Sequence, residues 1–114
     1  MLIAIVQIPW TSKQPGKEAF IARAKVALPT YTNMKGLIRK DYLNGETAGG
    51  GVYLWESKAA ADAWFNDTWW AFMQEKFGVR PTLQYFDHYL TVDNAKGEVR
   101  VDGSPIVLAV KAAE

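Results

Sequence analysis

The chain has 114 residues, 49% hydrophobic and 22% charged, which is the size and balance of one folded domain and far from a disordered or collagen-like chain. Lys and Arg number 13 against 12 Asp and Glu, a formal charge of +1, so there is no basic excess to release counterions from a phosphate backbone and nucleic acid is not an expected partner. Cysteine is absent, which removes disulfides, thiolate zinc sites, iron–sulfur clusters and a cysteine nucleophile together and makes a reducing cytoplasm the natural compartment.

Leu2 to Ile8 is apolar and β-branched and ends at Pro9, which predicts a strand closed by a residue that cannot continue a ladder. It has no basic region before it and no small-residue cleavage signal, and no run in the chain approaches the roughly 18 apolar residues of a membrane span. The expectation is a soluble protein with no membrane partner. Phe20, Ile21, Ala24, Ala27 and Leu28 recur at helical spacing, predicting a helix from Pro15 to about Tyr31, with Ser12 as a possible cap and Pro29 opposing continuation. Gly36 to Leu43 and Gly51 to Glu56 read as two strands of an antiparallel hairpin, joined by a glycine-containing turn segment.

Ser57 is a good cap for a second helix through Lys76, which Asn66-Asp67-Thr68 can divide into two pieces because these residues favour caps over helix interiors. Pro81 to Val92 is aromatic and β-branched and predicts a fourth strand. Glu98 to Val101, the turn Asp102-Gly103 and Ile106 to Val110 suggest a further hairpin or arm.

The predicted order is βαββαβ, an α+β ferredoxin-like domain over residues 1–94, followed by a C-terminal β hairpin or arm over 95–114. In the first strand Leu2, Ala4, Val6 and Ile8 face one way and Ile3 and Ile5 the other, and both sets are apolar. Two helices cover one sheet face only. A second copy of the chain would cover the other, giving a homodimer in the form of a dimeric α/β barrel.

Gly36-Leu37-Ile38-Arg39-Lys40 and Ala48-Gly49-Gly50-Gly51-Val52-Tyr53-Leu54-Trp55-Glu56-Ser57, leading into Ala59-Ala60-Ala61-Asp62-Ala63-Trp64, resemble the YdhR-like monooxygenases of the antibiotic-biosynthesis-monooxygenase group. The resemblance runs from Leu2 to Asn94, includes Tyr85-Phe86-Asp87, and leaves Ala95 to Glu114 outside it. It implies a monooxygenase that needs no cofactor and acts with molecular oxygen on a small phenolic, quinol or polycyclic substrate held between sheet and helices. The haem-degrading branch of the group would have an iron-ligating histidine in the second helix, and Lys58 to Phe77 has none.

Within that frame the aromatic surplus, five each of Trp, Tyr and Phe, either fills a core or walls a pocket. Trp64, Trp69, Trp70 and Phe77 on the second helix and Trp55 in the third strand are the candidate substrate-binding residues. A buried indole N–H needs a partner that Leu or Ile would not, which favours a cavity beside at least one of these rings. Tyr53 shares a side with Trp55 and could complete a pocket with Tyr31 or Tyr42, or pack across strands.

His88 is the only histidine, a residue type that titrates near neutrality, and is the first candidate for the base; a Tyr–Arg pair such as Tyr53 with Arg39 is the second. Arg39 would otherwise pair with Asp41 or anchor a substrate oxygen. One histidine cannot build the usual multi-histidine metal site, so no metal is expected. The glycines at 49–51 precede a strand and not a helix, which argues against a phosphate loop, and no serine stands in a nucleophile-elbow pattern. The rival to the enzyme is a dimeric α/β barrel that binds a small molecule, or serves a stress response, without chemistry.

Overall fold

The computed structural model describes residues 1–108. β1 (Leu2–Pro9) buries Leu2, Ala4, Val6 and Ile8 on one face and leaves Ile3 and Ile5 half-buried on the other. α1 (Lys17–Tyr31) begins after Gly16, which provides no side-chain cap, and not at Ser12. Pro29 lies inside its last turn. A proline deprives the preceding turn of one hydrogen bond, and here the end is closed again by Thr32, whose backbone N–H and hydroxyl both donate to the Leu28 carbonyl, at 2.9 and 2.8 Å.

β2 (Leu37–Asn44) and β3 (Ala48–Trp55) form the expected antiparallel hairpin with two departures from the sequence reading. The register shifts between Leu37 and Arg39, which makes Ile38 a bulge. The strand also starts before the expected Gly51: Gly49 and Gly50, assigned to the turn segment, lie within β3, where they pair with Ile8 and Gln7 as Gly51 pairs with Val6.

The second helical region divides as the cap residues predict, into α2 (Lys58–Trp64) and α3 (Asp67–Phe77). The Ser57 hydroxyl accepts from the Ala60 N–H at 3.1 Å, and Asn66 Oδ1 accepts from the Trp69 N–H at 3.0 Å. Gly78, at φ 71°, terminates α3 in the left-handed conformation that glycine adopts without strain.

β4 (Thr82–Asp87) stops short of the expected Val92. Its last pair is Asp87 with Leu2, so the ladder runs out where β1 begins, and the His88 N–H takes the Met1 carbonyl at 3.0 Å. β5 (Leu90–Asp93) belongs to a second sheet with β6 (Glu98–Val101) and β7 (Ser104–Ile106). Asp102 and Gly103, both at positive φ (48° and 81°), make the tight β6–β7 turn. The final strand, expected from Ile106 to Val110, instead spans Ser104–Ile106, with Val107 and Leu108 beyond it; residues 109 and 110 lie outside the described residues.

The main sheet has the order β2-β3-β1-β4, with every neighbouring pair antiparallel. The helices lie over the face that carries Leu2, Ala4, Val6, Tyr53 and Trp55, so the architecture is α+β, with three helices and two antiparallel sheets among the described residues. Phe65, between α2 and α3, is the hub of the core: its ring meets those of Tyr53, Trp55 and Trp69 edge-on at 5.1, 5.6 and 4.8 Å. The opposite face is open, with an apolar patch of Ile3, Ile5, Val52, Leu54 and Phe86, the last 48% exposed, bordered by Gln84 and the Arg39–Asp41 pair. No helix among the described residues is long and apolar enough to cross a membrane.

Candidate functional site

α1 stands off the sheet, with none of its side chains fully buried. The gap beneath it, closed on the other side by α3, is a cavity of about 370 Å³, within the range of small-molecule sites. Three glycines make its floor. A Cβ on Gly49 would run into the Trp10 indole, and one on Gly51 would come within 3.0 Å of Lys40 Cε and 3.3 Å of Tyr53 Cε1. Gly50, at φ 150°, has a backbone conformation that side chains rarely adopt. Glycine therefore makes room for a tryptophan and a lysine. Trp10 is fixed from outside the cavity, its indole N–H donating to the Gly45 carbonyl at 2.8 Å.

At the centre is Lys40. The bulge at Ile38 sets it opposite Tyr53 in the ladder, on the helix-covered face. Its ammonium lies over three tyrosine rings, 3.5 Å from the centroid of Tyr31, 4.1 Å from Tyr42 and 4.7 Å from Tyr53. The ring faces attract the cation. None of the ion pairs among the described residues includes Lys40. Desolvation pushes its pKa from the ordinary 10.5 down to about 7, and the nearby charge of Lys76 acts in the same direction. A substantial fraction of the amine is therefore neutral at physiological pH.

The tyrosines shift the opposite way. Burial raises Tyr31, although a hydrogen bond with Tyr53 partly offsets this. Burial raises Tyr42 and, more strongly, Tyr53, with the neighbouring Tyr31 phenol adding in both cases. All three remain protonated hydroxyls. The Tyr42 hydroxyl is buried and lacks a hydrogen-bond partner, and its side chain lines the cavity. An amine able to take a proton and hydroxyls able to donate therefore share one apolar chamber.

No family model and no curated protein matches the chain. Among solved structures it is similar to the NE2512 protein of unknown function from Nitrosomonas europaea, at 20% identity over 81% of this chain and 95% of that one, with a TM-score of 0.54. The two share a fold. At that identity the likeness carries no chemistry.

The residues singled out from the sequence are scattered by the structure. Tyr53 and Phe77 line the cavity, as do Tyr31 and Tyr42. Trp55 and Trp69 are buried in the core, with Trp55 stacked on Tyr53 at 6.0 Å. Trp64 packs edge-on against Tyr31 at 5.6 Å, and Trp70, half-buried against the core and edge-on to Trp69 at 4.9 Å, lies beneath the Arg80 guanidinium, 4.2 Å from its ring. None of these four borders the cavity. The indole N–H groups of Trp55, Trp64 and Trp69 are buried without partners, so an unpaired indole does not mark the pocket here.

Arg39 lies on the opposite face of the sheet from Tyr53, paired with Asp41 at 2.8 Å and largely exposed. The Tyr53–Arg39 pair does not exist; Lys40 occupies the place that would have been Arg39's without the bulge. His88 is not in a strand and does not border the cavity. Its Nε2 lies 2.9 Å from the Thr91 hydroxyl, and its Nδ1 is buried without a partner. Lys40 was missed because a lysine in a strand carries no signal of its own, and Trp10 because it follows β1, outside the helical run and third strand whose tryptophans drew attention. The available signal was the glycine run inside a strand pattern, which marks a close approach of other groups.

Proposed function

We propose that the protein is a cofactor-independent monooxygenase of a small phenolic or quinol substrate and that Lys40, not His88, is its base. The observation that carries this is the Lys40 amine, held among three tyrosine rings in a cavity and brought to a pKa of about 7. A base poised near the working pH is the most effective proton acceptor. The neutral amine takes the phenolic proton, and the ammonium formed faces the phenolate. A quinol so ionised reacts with oxygen without an external donor. The ring gains one oxygen atom, the other leaves as water, and the quinol supplies all four electrons as it becomes a hydroxyquinone. Tyr42 is placed to donate to a substrate oxygen.

The strand order β2-β3-β1-β4 supports reading the domain as ferredoxin-like and, with it, the resemblance to YdhR-like monooxygenases. The open sheet face supports a homodimer. So does the second sheet, because Leu90, Val92, Val99, Val101 and Ile106 share one of its faces while Thr91, Asp93, Glu98 and Arg100 share the other. Leu90 and Val92 are 65% and 70% exposed. Such an apolar face fits against another copy of the barrel.

The test is oxygen uptake with 1,4-naphthalenediol over its spontaneous rate, using protein freed of flavin and treated with chelator. The expected result is turnover that Lys40→Met abolishes. Saturable binding without oxygen uptake would leave the protein a non-catalytic binder of the same molecules.

A further inference from the structure

The charged groups lining the cavity are Arg23, Lys40 and Lys76; no Asp or Glu lines it among the described residues. The chain as a whole is nearly balanced, with 13 basic and 12 acidic side chains, so this one-sided lining is local. The three sit at different depths. Lys40 is half-buried on the glycine floor, whereas Arg23 on α1 and Lys76 on α3 are exposed, on the two helices that flank the opening. None of the ion pairs among the described residues includes Arg23 or Lys76. Between floor and rim the wall is apolar, with Val6, Ile8 and Phe20 among its residues.

A neutral phenol bound at Lys40 would leave both exposed cations without an anionic partner, Lys76 facing only the Phe72 and Phe77 rings at 5.7 and 5.3 Å. A ligand with an anionic group at its outer end would satisfy both. Arg and Lys on facing helices can hold the two oxygens of a carboxylate, and Arg does so through its planar fork.

Resting on the reading of Lys40 as base, we propose that the substrate is a hydroxyaryl carboxylic acid, its ring in the cavity, its hydroxyl toward Lys40 and its carboxylate at the rim with Arg23 and Lys76. The acid group then sets the orientation, because a carboxylate at the exposed rim keeps its hydration and meets two cations, whereas in the apolar chamber it would lose that hydration and meet Lys40 alone.

The experiment is calorimetric titration of the intact protein with 6-hydroxy-2-naphthoate, its methyl ester and 2-naphthol. The acid and ester share a ring and hydroxyl and differ in charge. The acid should bind about tenfold more tightly than the ester, the modest gain that two exposed ion pairs provide. In the Arg23→Gln, Lys76→Gln double variant that ratio should fall to about one. Both substitutions are at exposed positions, so the variant keeps its core. Equal binding of acid and ester to the wild-type protein would overturn the carboxylate site and leave the Lys40 reading standing. Failure of all three to bind would overturn both. An unchanged ratio in the double variant would also refute the proposed rim.

Discussion

Replacing Lys40 with Met keeps the length and apolar stem of the side chain and removes its charge, and the folded protein should become more stable at neutral pH. A fall in pKa from 10.5 to about 7 corresponds to about 5 kcal/mol of preference for the neutral amine. Below pH 7 the amine is protonated in both folded and unfolded chains, so the folded chain carries the whole desolvation cost. Between pH 7 and 10.5 the unfolded chain binds a proton that the folded one has released, and wild-type stability therefore rises with pH through that window. The attraction of the three tyrosine rings for the ammonium is already part of that balance, because a pKa reports the net preference of the site. Lys40→Met should therefore gain up to about 5 kcal/mol at pH 6.5.

Urea unfolding of both proteins at equal concentration, at pH 6.5 and at pH 10, measures this directly. A gain of that size should raise the midpoint of the variant by roughly 2 M or more at pH 6.5, and the difference should shrink toward zero by pH 10. Contributions from other titrating groups cancel in the comparison. A variant less stable than wild type at pH 6.5, or a difference independent of pH, would refute the claim that Lys40 is desolvated. Loss of oxygen uptake in the same stabilised variant would be the usual exchange between stability and function at a strained site.

His88→Ala should leave turnover within about twofold of wild type, since the ring lies outside the cavity; steady-state kinetics with a quinol checks it. Gly49→Val should displace the Trp10 indole from the cavity wall, shifting tryptophan emission to longer wavelength and weakening naphthol binding tenfold or more while far-UV circular dichroism stays unchanged. Light scattering at micromolar concentration should give about twice the monomer mass of 12.8 kDa, and Phe86→Asp, on the open sheet face, should return the mass to the monomer's.

How much of this was legible in the sequence depends on whether a feature is written locally. The first strand was legible because every residue from Leu2 to Val6 is apolar and one face of it is buried. The division of the second helix was legible because Asn66 is a good cap and a poor interior residue. The end of the first helix was legible too, because Pro29 opposes continuation and the helix stops two residues later at Tyr31, where Thr32 closes it. His88 was misleading. The aromatic, β-branched pattern continues through it to Val92, but a strand persists only while it has a partner, and β1 begins at Leu2.

The site depended on a feature that has no composition signal. Read without a bulge, Leu37 opposite Trp55 puts Arg39 opposite Tyr53, which is the Tyr–Arg pair the sequence suggests. One extra residue at Ile38 moves Lys40 into that place and turns Arg39 to the other face. The substitution is chemically consequential, because an arginine keeps its charge under nearly any burial whereas a lysine in the same chamber can lose it. Gly51 completes the effect by leaving room for the Lys40 stem beside Tyr53. The bulge and the glycine floor thus act on one side chain, and together they convert an ordinary strand lysine into a candidate base.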